Sequence, residues 1–172
     1  MSIINALYVK LEDVIEKLCK VIGGISVAAF VLITFMQVLG RNFFQLPMIW
    51  ANDLSVISFV WATFFGSAIA VRYRRHYILE LIPDKYVKTN CFLDLVGDLS
   101  GFVFFYALIR YGYIYAEMGL VRLSTSLGIP EAYFFACIPF SACFMMFFNI
   151  GVFVKDVQRF QALCKGGGVA NG

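Results

Sequence analysis

The chain has 172 residues, 61% of them hydrophobic and 15% charged, with a formal net charge of +3. A soluble domain of this size is nearer half apolar and a quarter charged, and so small a net charge gives no basis for binding nucleic acid. Five scattered cysteines (Cys19, Cys91, Cys137, Cys143, Cys164), without a Cys-x-x-Cys pair and with a single histidine, argue against a structural zinc site.

Residues 1–20 carry charges throughout and no apolar core, so no cleavable signal peptide is expected there. Ile4, Leu7, Leu11, Val14, Ile15 and Leu18 recur at spacings of three and four, which predicts an amphipathic helix. Its other face holds the charges, with Asp13–Lys17 and Glu16–Lys20 spaced as favourable i,i+4 pairs. Such a helix suits the membrane surface; the competing reading is a plain extension of the first span.

Val21 to Gly40 is uncharged over 20 residues, enough to cross a hydrocarbon core of ~30 Å. A loop over 41–53 comes next, with Trp50 as an interfacial anchor. Leu54 to Val71 predicts the second span, and Gly66, Ser67, Ala68 and Ala70 give it a small-residue face for close helix packing. A basic loop over 72–91 begins Arg72-Tyr-Arg74-Arg75-His76 and contains a short apolar segment that Pro83 breaks. The third span, 92–118, is the least clean, because it contains Asp94, Asp98, Arg110 and Glu117. The charges near its ends are expected to snorkel or to sit at the interfaces, with Asp94 and Asp98 solvated or paired. A loop over 119–130 leads to a fourth span over 131–154, with Pro130 and Glu131 suited to a first helical turn. Pro139 is expected to kink that span. The glycine-rich tail within 155–172 is expected to be disordered.

Eleven of the fourteen Lys and Arg residues fall in the N-terminal segment, the 72–91 loop and the C-terminal segment. Cytoplasmic loops carry the excess of basic residues. Both termini are therefore expected inside, which is self-consistent only for an even number of spans. The expected fold is an all-α integral membrane protein of four transmembrane helices plus an N-terminal amphipathic interfacial helix, N-in and C-in.

Catalytic and cofactor chemistry finds little support. His76 has no evident partners for a triad. A bis-His haem needs two imidazoles and only one exists, which leaves only His–Met ligation formally open. A self-sufficient proton-coupled carrier would use Asp94 or Asp98, four residues apart on one helix face. No pair of Gly/Pro-interrupted spans points to a substrate site. The pattern reads as a non-enzymatic partner or scaffold for a larger membrane protein, requiring no cofactor.

One stretch carries a resemblance. Gln37-Val-Leu-Gly-Arg41, Trp50, Asp53-Leu54, Trp61, Gly66, Ala68, Ala70, Arg72 and His76, then Leu127-Gly-Ile-Pro130 and Ile138-Pro139, resemble the small membrane subunit of tripartite ATP-independent periplasmic (TRAP) transporters, the DctQ-like family. The resemblance covers about residues 20 to 155. Asn52 departs from it, since the family often has an acidic residue there. The resemblance implies a multi-pass subunit of the bacterial inner membrane, which braces a large multi-span subunit holding the substrate and sodium sites. It also implies a periplasmic binding protein that delivers an organic acid, such as a C4-dicarboxylate or sialic acid. Arg41, Trp50, Asp53, Trp61 and Gly66 are the expected partner-facing residues, with Arg41 and Asp53 pairing with each other or with the large subunit. Arg72, Arg74, Arg75 and His76 are expected to anchor the cytoplasmic side at phospholipid headgroups.

Overall fold

The structure, a computed structural model, describes residues 3–43, 45, 48–73 and 87–166. The expected apolar segment before Pro83, the residues Arg74, Arg75 and His76, and the tail beyond residue 166 lie outside these. The described chain is helical: α1 Ile3–Phe43, α2 Ile49–Arg72, α3 Val87–Met118, a single turn α4 Ala132–Phe135, and α5 Cys137–Gly166. Four of these helices are long and apolar enough to cross a membrane, and the third counts among them despite its charges.

The amphipathic segment and the first span form one unbroken helix. At 1.5 Å per residue, its 41 residues extend about 60 Å, twice a ~30 Å hydrocarbon core. The 41–53 loop is shorter than expected. Helix α1 continues through Arg41, whose charge complements the dipole at the helix C-terminus. Trp50 and Asp53 already belong to the first turns of α2. Gln45 takes a left-handed φ of 52° in the turn. The Met48 side chain lies over Gly40, where an added Cβ would stand 2.9 Å from its terminal methyl carbon.

Helices α1 and α2 form an antiparallel hairpin, with Gly23 opposite Phe65 and Phe30 against Phe59. Helix α5 runs antiparallel to α3, with Gly112 meeting Ile138 and Asp98 meeting Asn149. It runs parallel to α2, with Phe65 against Phe144 and Arg72 over Phe148. Phe65, Phe105, Met145 and Phe148 fill the centre. Of the most apolar stretch of α5, 44% is buried, against 6% for α1, so α5 is the axis of the bundle and α1 its outer edge. Ser55 and Ser58, buried on α2, donate their hydroxyls to the carbonyls of Ala51 and Leu54, which satisfies them without a partner helix.

The fourth span is interrupted one turn upstream of Pro139. The break lies at Ala136, between α4 and α5. Proline at 139 has no N–H for the Phe135 carbonyl, and α4 ends at that residue. Ala136 itself remains right-handed, at φ −58° and ψ −28°, so the axis is interrupted without the chain reversing. Pro130, expected in a first helical turn, pairs instead with Leu123 in an isolated antiparallel bridge.

Candidate functional site

The two ends of the bundle place the expected functional residues in different settings. At the end bearing the α2 C-terminus, the N-terminal half of α1 turns its charged face inward. Glu12, Glu16 and Cys19 are buried, while Leu7, Leu11, Val14 and Leu18 face outward. Arg72 sits at the centre. Its guanidinium donates to the Glu12 carbonyl at 2.8 Å and to Asp13 Oδ1 at 2.5 Å, and it ion-pairs with Glu16. Tyr73 donates its hydroxyl to Glu16 at 2.5 Å, and Lys20 closes the cluster on Glu16. The Arg72 guanidinium lies 5.8 Å from the Phe148 ring centroid, within cation–π range.

Helix α5 completes this clamp. Lys155 Nζ stands 4.0 Å from Glu12, and Tyr8 donates to the Phe147 carbonyl at 2.8 Å. Gly151 makes room for this contact: a Cβ there would meet the Glu12 carboxylate and the Tyr8 ring, which would have to shift. The side chains of Arg72 and Glu16 are 17% and 10% exposed, so this pair is half-buried and less screened than a surface pair. The Arg122–Glu131 contact of 3.8 Å, with Arg122 66% exposed, belongs to the class worth under ~1 kcal/mol. Arg72 is thus held by carboxylates of its own chain.

At the opposite end, Asp53 accepts a short hydrogen bond from the Ser124 hydroxyl. That serine also receives the Ser126 and Leu127 amides, and Gly128 turns the loop at a φ of 65°. Trp61 donates its indole N–H to the Tyr133 carbonyl at 3.0 Å and stacks on Phe65 at 5.7 Å. Gly119 lets the α3 terminus touch the chain at Ala132, whose amide donates back to the Gly119 carbonyl at 3.1 Å. Asp53 and Trp61 are therefore both engaged within the chain. No ion pair joins Arg41 to Asp53 among the described residues, and Arg41 is exposed. Trp50 is 43% exposed. Gly66 is exposed, with nothing within 4 Å of an added Cβ. Arg41, Trp50 and Gly66 are thus the expected partner-facing residues that present themselves outward.

Between α3 and α5, Asp98 is 1% exposed, which leaves the paired of its two expected settings, and its backbone carbonyl accepts the Asn149 amide at 3.0 Å. Asp94 is half-buried. Residue spacing alone did not reveal Ser124, Gly151, Asn149 or the Tyr133 carbonyl as partners, since each lies at least 51 residues from the group it meets. No group of three metal-ligating side chains occurs among the described residues. The arrangement ties the four long helices together at both ends and leaves much of the apolar surface of α1 exposed.

Residues 30–159 match the DctQ component of tripartite ATP-independent periplasmic transporters. Over 138 residues the chain is 32% identical to the sialic acid TRAP transporter permease protein SiaT of Haemophilus influenzae (strain 86-028NP), covering 77% of this chain but only 22% of that protein. It is 25% identical to the sialic acid TRAP transporter small permease protein SiaQ of Vibrio cholerae serotype O1, covering 80% of each. The chain is a multi-pass membrane protein that belongs to the DctQ family of TRAP transporter components, a family of transporter subunits and not of enzymes.

Proposed function

We propose that this chain is the small membrane subunit of a sodium-driven TRAP importer for an organic acid of the sialic acid type. It braces a large multi-span subunit in the inner membrane, and a periplasmic binding protein delivers the substrate. The observation that carries this reading is the unequal match to SiaT, a permease in which this chain's counterpart occupies about a fifth of the length. The remaining four-fifths of such a permease has no counterpart here and is the source of the transport site. The bundle suits the bracing role, because α5 and the Arg72 clamp fix its interior while α1 presents an almost wholly exposed apolar flank. Its basic end faces the cytoplasm in this reading.

Reconstitution in liposomes tests it. Uptake of radiolabelled sialic acid is expected only when this chain, the large subunit, the binding protein and an inward sodium gradient are all present. Uptake by this chain alone, driven by a proton gradient and abolished by Asp98→Asn, would replace this reading with the self-sufficient carrier.

A further inference from the structure

Helix α1 has two unlike faces. The inner one, with Glu12, Glu16 and Cys19, is buried against the bundle. The outer one is an apolar seam. Stepping four, three, four, three from Leu7 to Leu39 meets an apolar residue every time, and all but Leu39 are exposed. A seven-residue repeat of this kind is how long helices pack side by side. Its first members, Leu7, Leu11, Val14 and Leu18, are 68%, 48%, 63% and 47% exposed. The same steps along the outer face of α3, begun at Phe92, run into Arg110.

Length decides what can cover this seam. From Leu7 to Leu39 it extends about 48 Å at 1.5 Å per residue. Hydrocarbon is ~30 Å thick, and an average tilt of ~20° shortens the projection only to about 45 Å. Roughly 15 Å of seam therefore stands outside the hydrocarbon. The uncharged run from Val21 to Gly40 fills the hydrocarbon, so the excess is Leu7, Leu11 and Val14. A helix lying flat on the membrane would turn these residues to lipid. Here they belong to one unbroken helix with the span, and Arg72, Tyr8 and Lys155 tie that half to α2 and α5. The edge of this part of the seam is basic. Lys10 and Lys17, seven residues apart and so on one side of it, are exposed. Among the described residues neither makes an ion pair, and Asp13, spaced for Lys17, is taken by Arg72. An apolar stripe with cations along its edge is complementary to an amphipathic helix with carboxylates along its own.

We infer that residues 7–18 of α1 dock an amphipathic helix of another chain outside the hydrocarbon, with apolar residues against Leu7, Leu11 and Val14 and carboxylates facing Lys10 and Lys17. The helix belongs to the large multi-span subunit, an assignment that rests on the bracing role. The inference goes beyond that role in naming the docking surface, its reach out of the bilayer and the charge of what meets it.

Photo-crosslinking in native membranes tests it. A benzophenone maleimide is attached through Val14→Cys in a Cys143→Ser, Cys164→Ser background, with the large subunit co-expressed. An adduct with the large subunit is expected, mapped by mass spectrometry to an acidic amphipathic segment outside its spans. Lys10→Glu combined with Lys17→Glu is expected to lower the yield about fivefold. Arg159→Glu, an exposed cation of α5 away from the seam, is expected to leave it unchanged. If the two subunits co-purify but Val14→Cys gives no adduct, or one indifferent to the double charge reversal, the docking is overturned and the bracing role stands. Adducts only with lipid, or with a second copy of this chain, would overturn the docking as well. Failure of the subunits to co-purify at all would overturn the bracing role and this inference with it.

Discussion

The two ends of this bundle are held by different chemistry. At the Arg72 end, three helices meet through charges: Glu12, Asp13 and Glu16 from α1, Arg72 from α2, and Lys155 from α5. At the loop end, Asp53 takes a hydroxyl, Trp61 donates to a carbonyl, and Gly119 permits backbone to touch backbone. The difference arises from what each end has to hold. The N-terminal half of α1 turns Leu7, Leu11, Val14 and Leu18 outward and docks through Cys19, Ile15 and the Tyr8 ring together with the ion pairs. The loop end closes a chain already bound by α3 and α5, and needs only shape and local hydrogen bonds.

The contrast breaks most readily at Arg72. Arg72→Met removes the guanidinium from Glu16, which keeps Lys20 and Tyr73, and is expected to cost about 1.5–3 kcal/mol, read as a lower unfolding temperature in detergent and faster proteolysis within residues 7–20. Adding Glu16→Met should cost less than the sum of the two single losses, because the two residues share one ion pair. If the single variant unfolds like the wild type, the clamp is not what docks α1. At the other end, Gly119→Val sets a side chain against the Ala132 backbone and is expected to cost about 1–3 kcal/mol. Raised salt should leave that difference unchanged, which sharpens the distinction between charge and shape. Trp61→Phe keeps an aromatic ring near Phe65 but removes the donor to Tyr133, for an expected loss of about 1 kcal/mol in chemical unfolding. The smallest effect is expected at Gly66, where Gly66→Leu meets open space and should shift the isolated chain by under about 0.5 kcal/mol. In the proposed complex the same substitution should reduce recovery of the large subunit in pull-downs.

Four spans were legible because an uncharged run of about twenty residues has few other readings, and an even count agreed with the distribution of basic residues. The direction in which the first twenty residues face was not legible. Spacing places Glu12 and Glu16 on one face and Leu7, Leu11, Val14 and Leu18 on the other. It does not say which face meets the protein, because in lipid the apolar face belongs outside. Arg72 was read as an anchor for the same reason: a basic residue closing a span looks alike whether it meets phosphate or a carboxylate of its own chain. Pro139 announced an interruption, and the missing amide placed it at the Phe135 carbonyl, upstream of the proline itself. The Asp53–Ser124 contact joins residues 71 apart across a loop, which no local period encodes.

The central claim is that this chain is a brace with an open flank, made to be covered by a larger transporter subunit. Co-purification tests it most directly: the chain is tagged, extracted from native membranes in mild detergent, and its stoichiometric partners are identified. A large multi-span permease subunit recovered in fixed ratio is the predicted result. A stable homo-oligomer without such a partner, obtained from membranes in which the large subunit is expressed, would contradict it.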